Sequence, residues 1–354
     1  DDESLQDRLY LNDGSGKMAL APKGALPSAR HNGSCISAAD FDRDGDLDLF
    51  IGGRTVPGYY PTAAASQLLR NEGGGRFVDV TSDLAPALSS SRAGIVTSAV
   101  WSDIDDDGWI DLVLAREWDT VGIFKNTEGE LKALPQSAGA QTQKGWWNGL
   151  TSADLDGDGD FDLVVTNFGL NTKYHASPEK PALLFYGDVA NSGHKHLIEA
   201  EFEGDIVYPI RGKSCSTAAI PSLADKFSTY KGFAAATLQD IYTPERLKAV
   251  KKFSVSHLET SIFWNDGKGN FSPEALSWEA QLAPSFGVVV QDFDGDGQAD
   301  IVLAQNFFSP QRETGRMAGG LSLLLRGRKE GGRTIFEPVW PNRSGINVSG
   351  DSKS

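Results

Sequence analysis

The chain has few of the residues that most often carry catalysis or bind transition metals: two cysteines, five histidines and two methionines in 354 residues. Neither Gly-x-Ser-x-Gly nor His-Glu-x-x-His occurs in the sequence, so two common hydrolase signatures are absent. No apolar run approaches the roughly 20 residues that cross a bilayer. The first residues, Asp1-Asp2-Glu3, are not a signal peptide, and we expect any export signal to have been removed or to lie outside this sequence.

Positive charge is also in short supply, with 33 lysines and arginines against 48 acids and a formal net charge of −15. This balance argues against a nucleic-acid partner. The acids are not spread evenly, because 19 of them lie in four short loops. Most of the net charge therefore belongs to candidate metal sites rather than to a general acidic surface.

The four loops share one nine-residue pattern, with acids at positions 1, 3, 5 and 9 and glycine at position 6. Carboxylates at alternate positions, a backbone carbonyl at position 7 and glycine at the sharp turn are the arrangement that holds Ca²⁺. The expected ligands are Asp40, Asp42, Asp44, Asp46 and Asp48; Asp103, Asp105, Asp107, Trp109 and Asp111; Asp154, Asp156, Asp158, Asp160 and Asp162; Asp292, Asp294, Asp296, Gln298 and Asp300. Asp46, Trp109, Asp160 and Gln298 stand at position 7, where only the backbone is used. The sequence predicts four calcium ions.

These loops differ from an EF-hand, which needs a glutamate at position 12 and a helix on either side. Position 12 is apolar in all four loops, and each loop runs into a short β-rich segment such as Leu49-Phe50-Ile51. A single acidic turn could simply be solvated, but four copies followed by the same strand predict strand–loop–strand calcium sites.

A second repeated phrase, an apolar run followed by Asn-x-Gly-x-Gly, predicts a β-hairpin. It occurs at residues 8–17, 68–77 and 262–271, and in part at 122–126. One unit therefore contains strand, calcium loop, strand, variable loop, strand, glycine hairpin and strand. Four antiparallel strands repeated in this way predict an all-β propeller blade, and about six blades are visible in a single domain, residues 1–354.

The long interval between Asp154 and Asp292 predicts a fifth blade around Asp188. Its loop has lost the acids, because Ala190, Ser192 and His196 stand at positions 3, 5 and 9, so we expect no calcium there and a solvated turn rather than a histidine metal site. Within this blade, residues 221–252 have apolar residues at helical spacing and predict a small helical insertion. The incomplete repeats at both termini predict a propeller that is cut at both ends. We expect its ring to be closed either by flanking sequence or by pairing of the two termini.

These phrases resemble FG-GAP/VCBS repeats, the integrin-α type of propeller. Longer stretches are similar to the bacterial ASPIC/UnbV, cartilage-acidic-protein-like family. They are Asp7-Arg8-Leu9-Tyr10-Leu11-Asn12-Asp13-Gly14, Gly145-Trp146-Trp147-Asn148, Gly169-Leu170-Asn171-Thr172-Lys173-Tyr174, Ser177-Pro178-Glu179-Lys180-Pro181 and Phe227-Ser228-Thr229-Tyr230. The resemblance implies a seven-bladed propeller, secreted or on the cell surface, with no established catalytic residues.

Blade topology places the calcium loops on one face and the variable loops on the other, where a ligand would bind. Aromatic, arginine and asparagine side chains of that kind recognise sugars or proteins, although any of the aromatics could instead fill gaps between blades. The candidate ligand residues are Arg54, Tyr59, Tyr60, Arg116, Trp118, Trp146, Trp147, Asn171, Tyr174 and Phe308.

Three functions remain open. We expect a calcium-stabilised binding or adhesion module for a polysaccharide or a surface protein, in an extracellular, cell-surface or periplasmic location where weak calcium loops fill. A polysaccharide lyase or hydrolase would need a catalytic set, for which His31, Arg116, Glu117 and Asp119 are the best candidates. A structural spacer is the third. Cys35 and Cys215 could form a bridge, but we expect two free thiols.

Overall fold

The computed structural model describes residues 5–28, 32–89, 93–135, 142–310 and 314–352. In chain order its strands are β1 (Tyr10–Asn12), β2 (Met18–Leu20), β3 (Gly33–Ala39), β4 (Asp48–Gly53), β5 (Gln67–Asn71), β6 (Phe77–Asp79), β7 (Ile95–Ser102), β8 (Asp111–Asp119), β9 (Gly122–Thr127), β10 (Glu130–Ala133), β11 (Gly145–Trp146), β12 (Leu150–Ala153), β13 (Asp162–Val165), β14 (Ala182–Gly187), β15 (His196–Glu203), β16 (Ile206–Pro209), β17 (Lys251–Val255), β18 (Ser261–Asn265), β19 (Phe271–Ala275), β20 (Ser285–Gln291), β21 (Asp300–Gln305), β22 (Leu323–Glu330) and β23 (Arg333–Val339).

The helices are short. They are α1 (Thr81–Leu84), α2 (Lys213–Ala219), α3 (Ser222–Lys226), α4 (Tyr230–Ala234), α5 (Leu238–Tyr242), α6 (Pro244–Lys248), α7 (Pro341–Ser344) and a 3-10 helix at Trp278–Gln281. Among the described residues, none of these helices is both long enough and apolar enough to cross a membrane. The predicted all-β, propeller-like fold of antiparallel four-stranded sheets is confirmed.

The chain forms two compact units. Unit 1 comprises Asp1–Asn171 and Glu259–Ser354, and unit 2 comprises Thr172–Leu258. Unit 1 contains the β1–β2 hairpin and the sheets β3-β4-β5-β6, β7-β8-β9-β10, β12-β13-β18-β19 and β20-β21-β22-β23, with β11 also pairing with β8. Unit 2 contains the sheet β16-β15-β14-β17 and helices α2 to α6.

Within unit 1, the first strands of successive sheets lie side by side, β3 beside β7, β7 beside β12 and β12 beside β20. A middle strand such as β8 is therefore covered on both faces, and alternate residues enter different cores. Leu112 and Leu114 pack with the β3 sheet, whereas Val113 packs with the β12 sheet. This explains why the second strands read as continuous apolar runs.

The segment around Asp188 differs from the tandem blade that the sequence predicted. Its sheet belongs to unit 2, which is inserted in the sequence between β13 and β18. Strand β18 pairs directly with β13. The hairpin at 262–271 thus completes the sheet that begins at β12. The predicted helices do occur, between β16 and β17 in the sequence. They span Lys213 to Lys248 rather than 221–252, and residues 251–252 belong to β17. Their apolar side chains, including Leu223, Phe233 and Leu238, pack on Phe185 and Ile198 of that sheet.

Candidate metal centres

Each predicted calcium loop joins the first two strands of a sheet in unit 1. We call residues 40–48, 103–111, 154–162 and 292–300 loops 1 to 4. In every loop the acids at positions 1, 3 and 9 converge, with one oxygen from each lying within 4.8 Å of the others. The groups are Asp40, Asp42 and Asp48; Asp103, Asp105 and Asp111; Asp154, Asp156 and Asp162; Asp292, Asp294 and Asp300. Three of the four predicted acids of each loop therefore lie together, whereas the position 5 acids, Asp44, Asp107, Asp158 and Asp296, are not part of these groups.

The acid at position 1 closes the turn. In loop 2, Asp103 accepts the N–H of Asp107 at 3.2 Å and that of Gly108 at 2.8 Å. Asp40 accepts the equivalent N–H groups of Asp44 and Gly45 at 3.1 Å each. Position 5 is held differently, because Asp107 accepts the N–H of Trp109 at 2.8 Å. One carboxylate oxygen of position 5 is therefore used within the loop, and the other oxygen of Asp107 lies 3.1 Å from Lys125 Nζ.

The acid at position 9 is the most buried of the loop acids. Asp48, Asp111, Asp162 and Asp300 are all buried at the start of the second strand. One oxygen of Asp111 accepts the N–H of Ile104 at 3.3 Å, and the other accepts that of Asn126 at 2.7 Å. Burial raises the pKa of Asp48 and Asp111 to about 6 and that of Asp162 to about 7. A bound cation would favour the charged form that burial penalises.

The donor set fits a hard divalent cation. Oδ1 of Asp42 and Oδ1 of Asp105, both at position 3, are buried and have no hydrogen-bond partner among the described residues. A buried carboxylate oxygen without a donor is costly, and a cation is the partner that these converging acids suit. Carboxylate oxygens and a backbone carbonyl are Ca²⁺ and Mg²⁺ ligands.

Basic side chains from the third strand stand beside two of the loops. Lys125 Nζ lies 3.1 Å from Asp107 Oδ2 and also pairs with Asp105. Arg326 pairs with Asp294 at 2.6 Å and Asp296 at 2.8 Å. These cations reduce the repulsion among the acids of loops 2 and 4. Neither residue was predicted from the sequence, although Lys125 directly precedes Asn126 of the hairpin phrase.

The loop at Asp188 in unit 2 keeps the turn without the cage. Asp188 accepts the N–H of Ser192 at 2.9 Å and that of Gly193 at 2.6 Å, as Asp103 does in loop 2. His196 at position 9 does not join an acidic group among the described residues. The feature that this loop shares with loops 1 to 4 is thus the turn geometry, which needs only the first acid and the glycine. Within the described ranges no disulfide joins Cys35 and Cys215, and both residues are partly buried.

The candidate ligand residues do not form one exposed patch. Trp118 and Trp146 are each 6% exposed and meet edge to face at 4.8 Å, and Trp147 is fully buried against Phe263. Arg116 is also buried, where it donates to the carbonyl and hydroxyl of Thr120. These four residues stabilise the contacts between strands and sheets, so the surface position predicted for them is wrong.

Other candidates are at the surface. Tyr59 is 55% exposed, Asn171 is exposed and donates to the carbonyl of Leu282, and Phe308 is partly buried under the guanidinium of Arg316. Tyr174 belongs to unit 2, where its buried ring places the hydroxyl 3.1 Å from Glu199. Position along the chain was therefore a weak guide to exposure.

Arg54 and Tyr60 meet at Glu117. Arg54 pairs with Glu117 Oε2 at 2.6 Å, the Tyr60 hydroxyl donates to Glu117 Oε1 at 2.5 Å, and the Trp118 indole donates to Tyr60. Burial and the Glu117 charge raise the pKa of Tyr60 well above its usual range. Of the predicted catalytic set, His31 lies outside the described residues, and Arg116 pairs with Asp119 at 3.4 Å rather than with Glu117.

A cavity of about 400 Å³ lies at the starts of the first strands, the ends remote from the acid loops. Ser34 of β3, Thr97 of β7, Asn148 before β12, and Phe286 and Gly287 of β20 line it, together with Arg54 and Ser352. Arg54 is the one charged residue among these lining residues. Four sheets of unit 1 thus contribute to one polar cavity.

Antiparallel sheets packed side by side, each with an acid cage after its first strand, define a propeller-like repeat protein with candidate metal centres. Residues 2–51, 103–165 and 253–303 match the family model of the FG-GAP-like repeat, which supports an FG-GAP repeat domain. Loops 2 and 3 lie within the second matched region.

No curated protein sequence matches the chain. Among solved structures, the V. cholerae biofilm matrix protein Bap1 is similar with a TM-score of 0.32 and 14% identity, over 84% of this chain and 38% of that chain. This chain therefore spans less than half the length of that protein. We draw no functional conclusion from a likeness at this level.

Proposed function

We propose that the chain is a calcium-stabilised binding or adhesion module that works outside the cell or at its surface. Four acid cages of one design support structural calcium, and FG-GAP-like repeats support a surface module. Loops of this kind bind extracellular calcium at roughly 10⁻⁴–10⁻³ M, which supports a location where calcium is abundant. The stretches Gly145-Trp146-Trp147-Asn148 and Phe227-Ser228-Thr229-Tyr230 are the basis for proposing kinship with the ASPIC/UnbV family.

The observation that carries the binding proposal is the cavity lined by Arg54, Ser34, Thr97 and Asn148. Its hydroxyl, amide and guanidinium groups, with the ring of Phe286, suit a polyhydroxylated ligand, so a polysaccharide is the partner we favour. The acid cages would hold the sheets in place from their other ends. Glu117 has both oxygens engaged, by Arg54 and Tyr60, which supports a positioning role rather than catalysis.

We also propose that a sheet from flanking sequence covers the free face of the β20 sheet. The position 2 residues of loops 1 and 2, Phe41 and Ile104, are buried under the next sheet, whereas Phe293 of loop 4 is 46% exposed. Val289 is exposed beside it, and a groove of about 660 Å³ runs along this face. The face therefore has the composition of an interface between two sheets.

The test is a glycan array probed with the intact protein in calcium, followed by binding measurements on variants. Arg54→Gln should weaken binding about tenfold or more, as expected for an arginine at the centre of a binding patch. Lys132→Gln is the matched control, because Lys132 is an exposed residue of β10 that pairs with Glu130 and does not line the cavity. A spacer domain predicts no glycan or protein binding at all, and an enzyme predicts cleavage of the bound glycan. Equal binding by Arg54→Gln and Lys132→Gln would contradict the site.

A further inference from the structure

Asparagines at the ends of two third strands hold the acid loops from behind. The backbone N–H of Asn126 donates to Asp111 Oδ1 at 2.7 Å, and its side-chain Nδ2 donates to the carbonyl of Ile110 at 3.0 Å. In the next sheet, Asn265 makes the same bonds to Asp162 at 2.8 Å and to Phe161 at 3.1 Å. Each asparagine therefore fixes both the position 9 acid and the adjacent carbonyl of its own loop.

The same amide groups also reach the preceding loop. Asn126 Nδ2 donates to the carbonyl of Phe41 at 2.8 Å, and Asn265 Nδ2 donates to that of Ile104 at 2.8 Å. Phe41 stands between two acids of loop 1, and Ile104 stands between two acids of loop 2. Asn126 is completely buried, so its bond to the Phe41 carbonyl is shielded from water, whereas Asn265 is partly buried. One residue thus connects two loops, because its side-chain amide bonds the backbone of one loop and its backbone N–H bonds the ligand acid of the next.

Among the described residues, the equivalent positions of the first and fourth sheets make no such bridge. Asn71, the equivalent residue of the first sheet, donates from Nδ2 to the carbonyl of Leu47 in its own loop at 3.0 Å, and reaches no other acid loop among the described residues. Gly327 occupies the equivalent position in the fourth sheet. Its N–H donates to Asp300 at 2.9 Å, but glycine has no side chain that could reach another loop. Lys329 of β22 instead joins the fourth sheet to loop 3, because it donates to the carbonyl of Asp156.

We propose that Asn126 and Asn265 are positioning residues that make calcium binding cooperative across loops 1, 2 and 3, while loop 4 binds independently. This inference rests on the proposed calcium function. An ion in loop 1 would fix Asp40 and Asp42, and with them the Phe41 carbonyl that lies between. That carbonyl orients the Asn126 amide, whose backbone holds Asp111 for the ion in loop 2. The conformational entropy lost in ordering the shared peptide is then lost once for two ions.

A second contact between loops 1 and 2 must be separated from this one. The guanidinium of Arg43, at position 4 of loop 1, lies 4.1 Å from the ring centre of Trp109, at position 7 of loop 2. The experiment therefore compares Asn126→Ala, Asn71→Ala and Arg43→Ala in the full chain. Asn71→Ala removes the same bond to its own loop but no bond between loops.

Tb³⁺ in loop 2 can be followed through Trp109, which stands at position 7 of that loop and is a sensitiser for Tb³⁺ luminescence. Because the same ring contacts Arg43 of loop 1, Asp103→Asn, which disables loop 2, identifies the part of the signal that comes from loop 2. Tb³⁺ binding and its displacement by calcium would be titrated in each variant, with and without Asp40→Asn, which disables loop 1. Asp292→Asn, which disables loop 4, is the control for general loss of calcium. Trp109→Phe should remove the signal and so verify that loop 2 is observed.

Coupling energies between sites typically correspond to about 5- to 150-fold changes in affinity. We expect Asp40→Asn to weaken loop 2 by at least about fivefold in the wild-type, Asn71→Ala and Arg43→Ala proteins, but not in Asn126→Ala. Asp292→Asn should leave loop 2 unchanged. If Asn126→Ala fails to fold, Asn126→Asp retains the acceptor for the Gly129 N–H and removes the donors.

Coupling that survives in the Asn126 variants, or that is absent from the wild-type protein, overturns the inference. Loss of coupling in Arg43→Ala or Asn71→Ala overturns it as well, because the asparagine bridge would then not be its cause. These outcomes differ from failure of the proposed function, which would appear as no displaceable Tb³⁺ in the wild-type protein.

Discussion

Asp103 and Asp188 provide a matched pair for testing whether calcium stabilises the fold. Both carboxylates accept two backbone N–H groups at the same spacing, from Asp107 and Gly108 in loop 2 and from Ser192 and Gly193 in unit 2. Replacing either acid with asparagine removes a charged acceptor from the same kind of turn, at a cost of about 1 kcal/mol or more. Only Asp103 also belongs to a cage of converging acids.

The extra effect of Asp103→Asn follows from linkage. At about 5 mM calcium, a site with a dissociation constant of about 10⁻⁴ M stabilises the folded state by about 2.3 kcal/mol, and one of about 10⁻³ M by about 1 kcal/mol. Each kcal/mol shifts the melting temperature by roughly 2–4 °C in a unit of this size. Loss of one site should therefore lower the calcium-dependent shift by about 2–9 °C.

The assay is thermal unfolding followed by circular dichroism, with each variant measured in calcium and in EDTA and compared with itself. Asp188→Asn should keep the full wild-type difference between the two buffers, although both of its melting temperatures fall. Asp103→Asn should lose part of that difference. A wild-type calcium shift in Asp103→Asn, or an equal loss in Asp188→Asn, would refute a structural metal in loop 2.

Two further predictions concern charge and packing. Because burial raises the folded pKa of Asp48 and Asp111 to about 6 and of Asp162 to about 7, above the ordinary value of about 3.9, the folded state binds more protons than the unfolded state between those values. The melting temperature in EDTA should thus rise as pH falls from about 8 to 5, while calcium should suppress this rise; an EDTA curve that instead falls over this range would contradict it. Trp147→Ala, at a fully buried site, should lower the free energy of unfolding by about 3–5 kcal/mol in urea. Tyr59→Ala, at an exposed site, should change it by less than about 0.5 kcal/mol, and similar effects of the two would show that the burial described for them is wrong.

The acid loops could be predicted from the sequence because their chemistry is local. Asp40, Asp42 and Asp48 lie within nine residues, and a tight turn brings alternate side chains to one side whatever the rest of the chain does. The second strands were equally clear, since coverage on both faces leaves a continuous apolar run such as Leu112 to Leu114. The turn residues and the strand pattern agree here, so local and global preferences coincide.

Strand partners and exposure could not be predicted in the same way. The pattern of β18 shows that it is a strand but not that it pairs with β13 across the whole of unit 2, because pairing depends on neighbours distant in sequence. Trp147 and Tyr59 illustrate the same limit for side chains. Both are aromatic residues outside the regular strand pattern, yet one fills the space between two sheets and the other is solvated.

The Asn-x-Gly-x-Gly phrase was interpreted as a hairpin turn, and the structure shows a second reason for its repetition. Gly129 and Gly269, both at positive φ, follow the two bridging asparagines in the chain. A Cβ at Gly129 would lie 3.4 Å from Cβ of Asp42, and one at Gly269 would lie 3.5 Å from Ile104 and 3.8 Å from Cβ of Asp105. These two hairpins therefore pack on the acid loop of the preceding sheet, and a Cβ at either glycine would be in van der Waals contact with that loop. The acid loop and the glycine hairpin recur together because each hairpin forms an interface with its neighbour's loop, and substitutions in the hairpin should affect the preceding metal centre as well as its own turn.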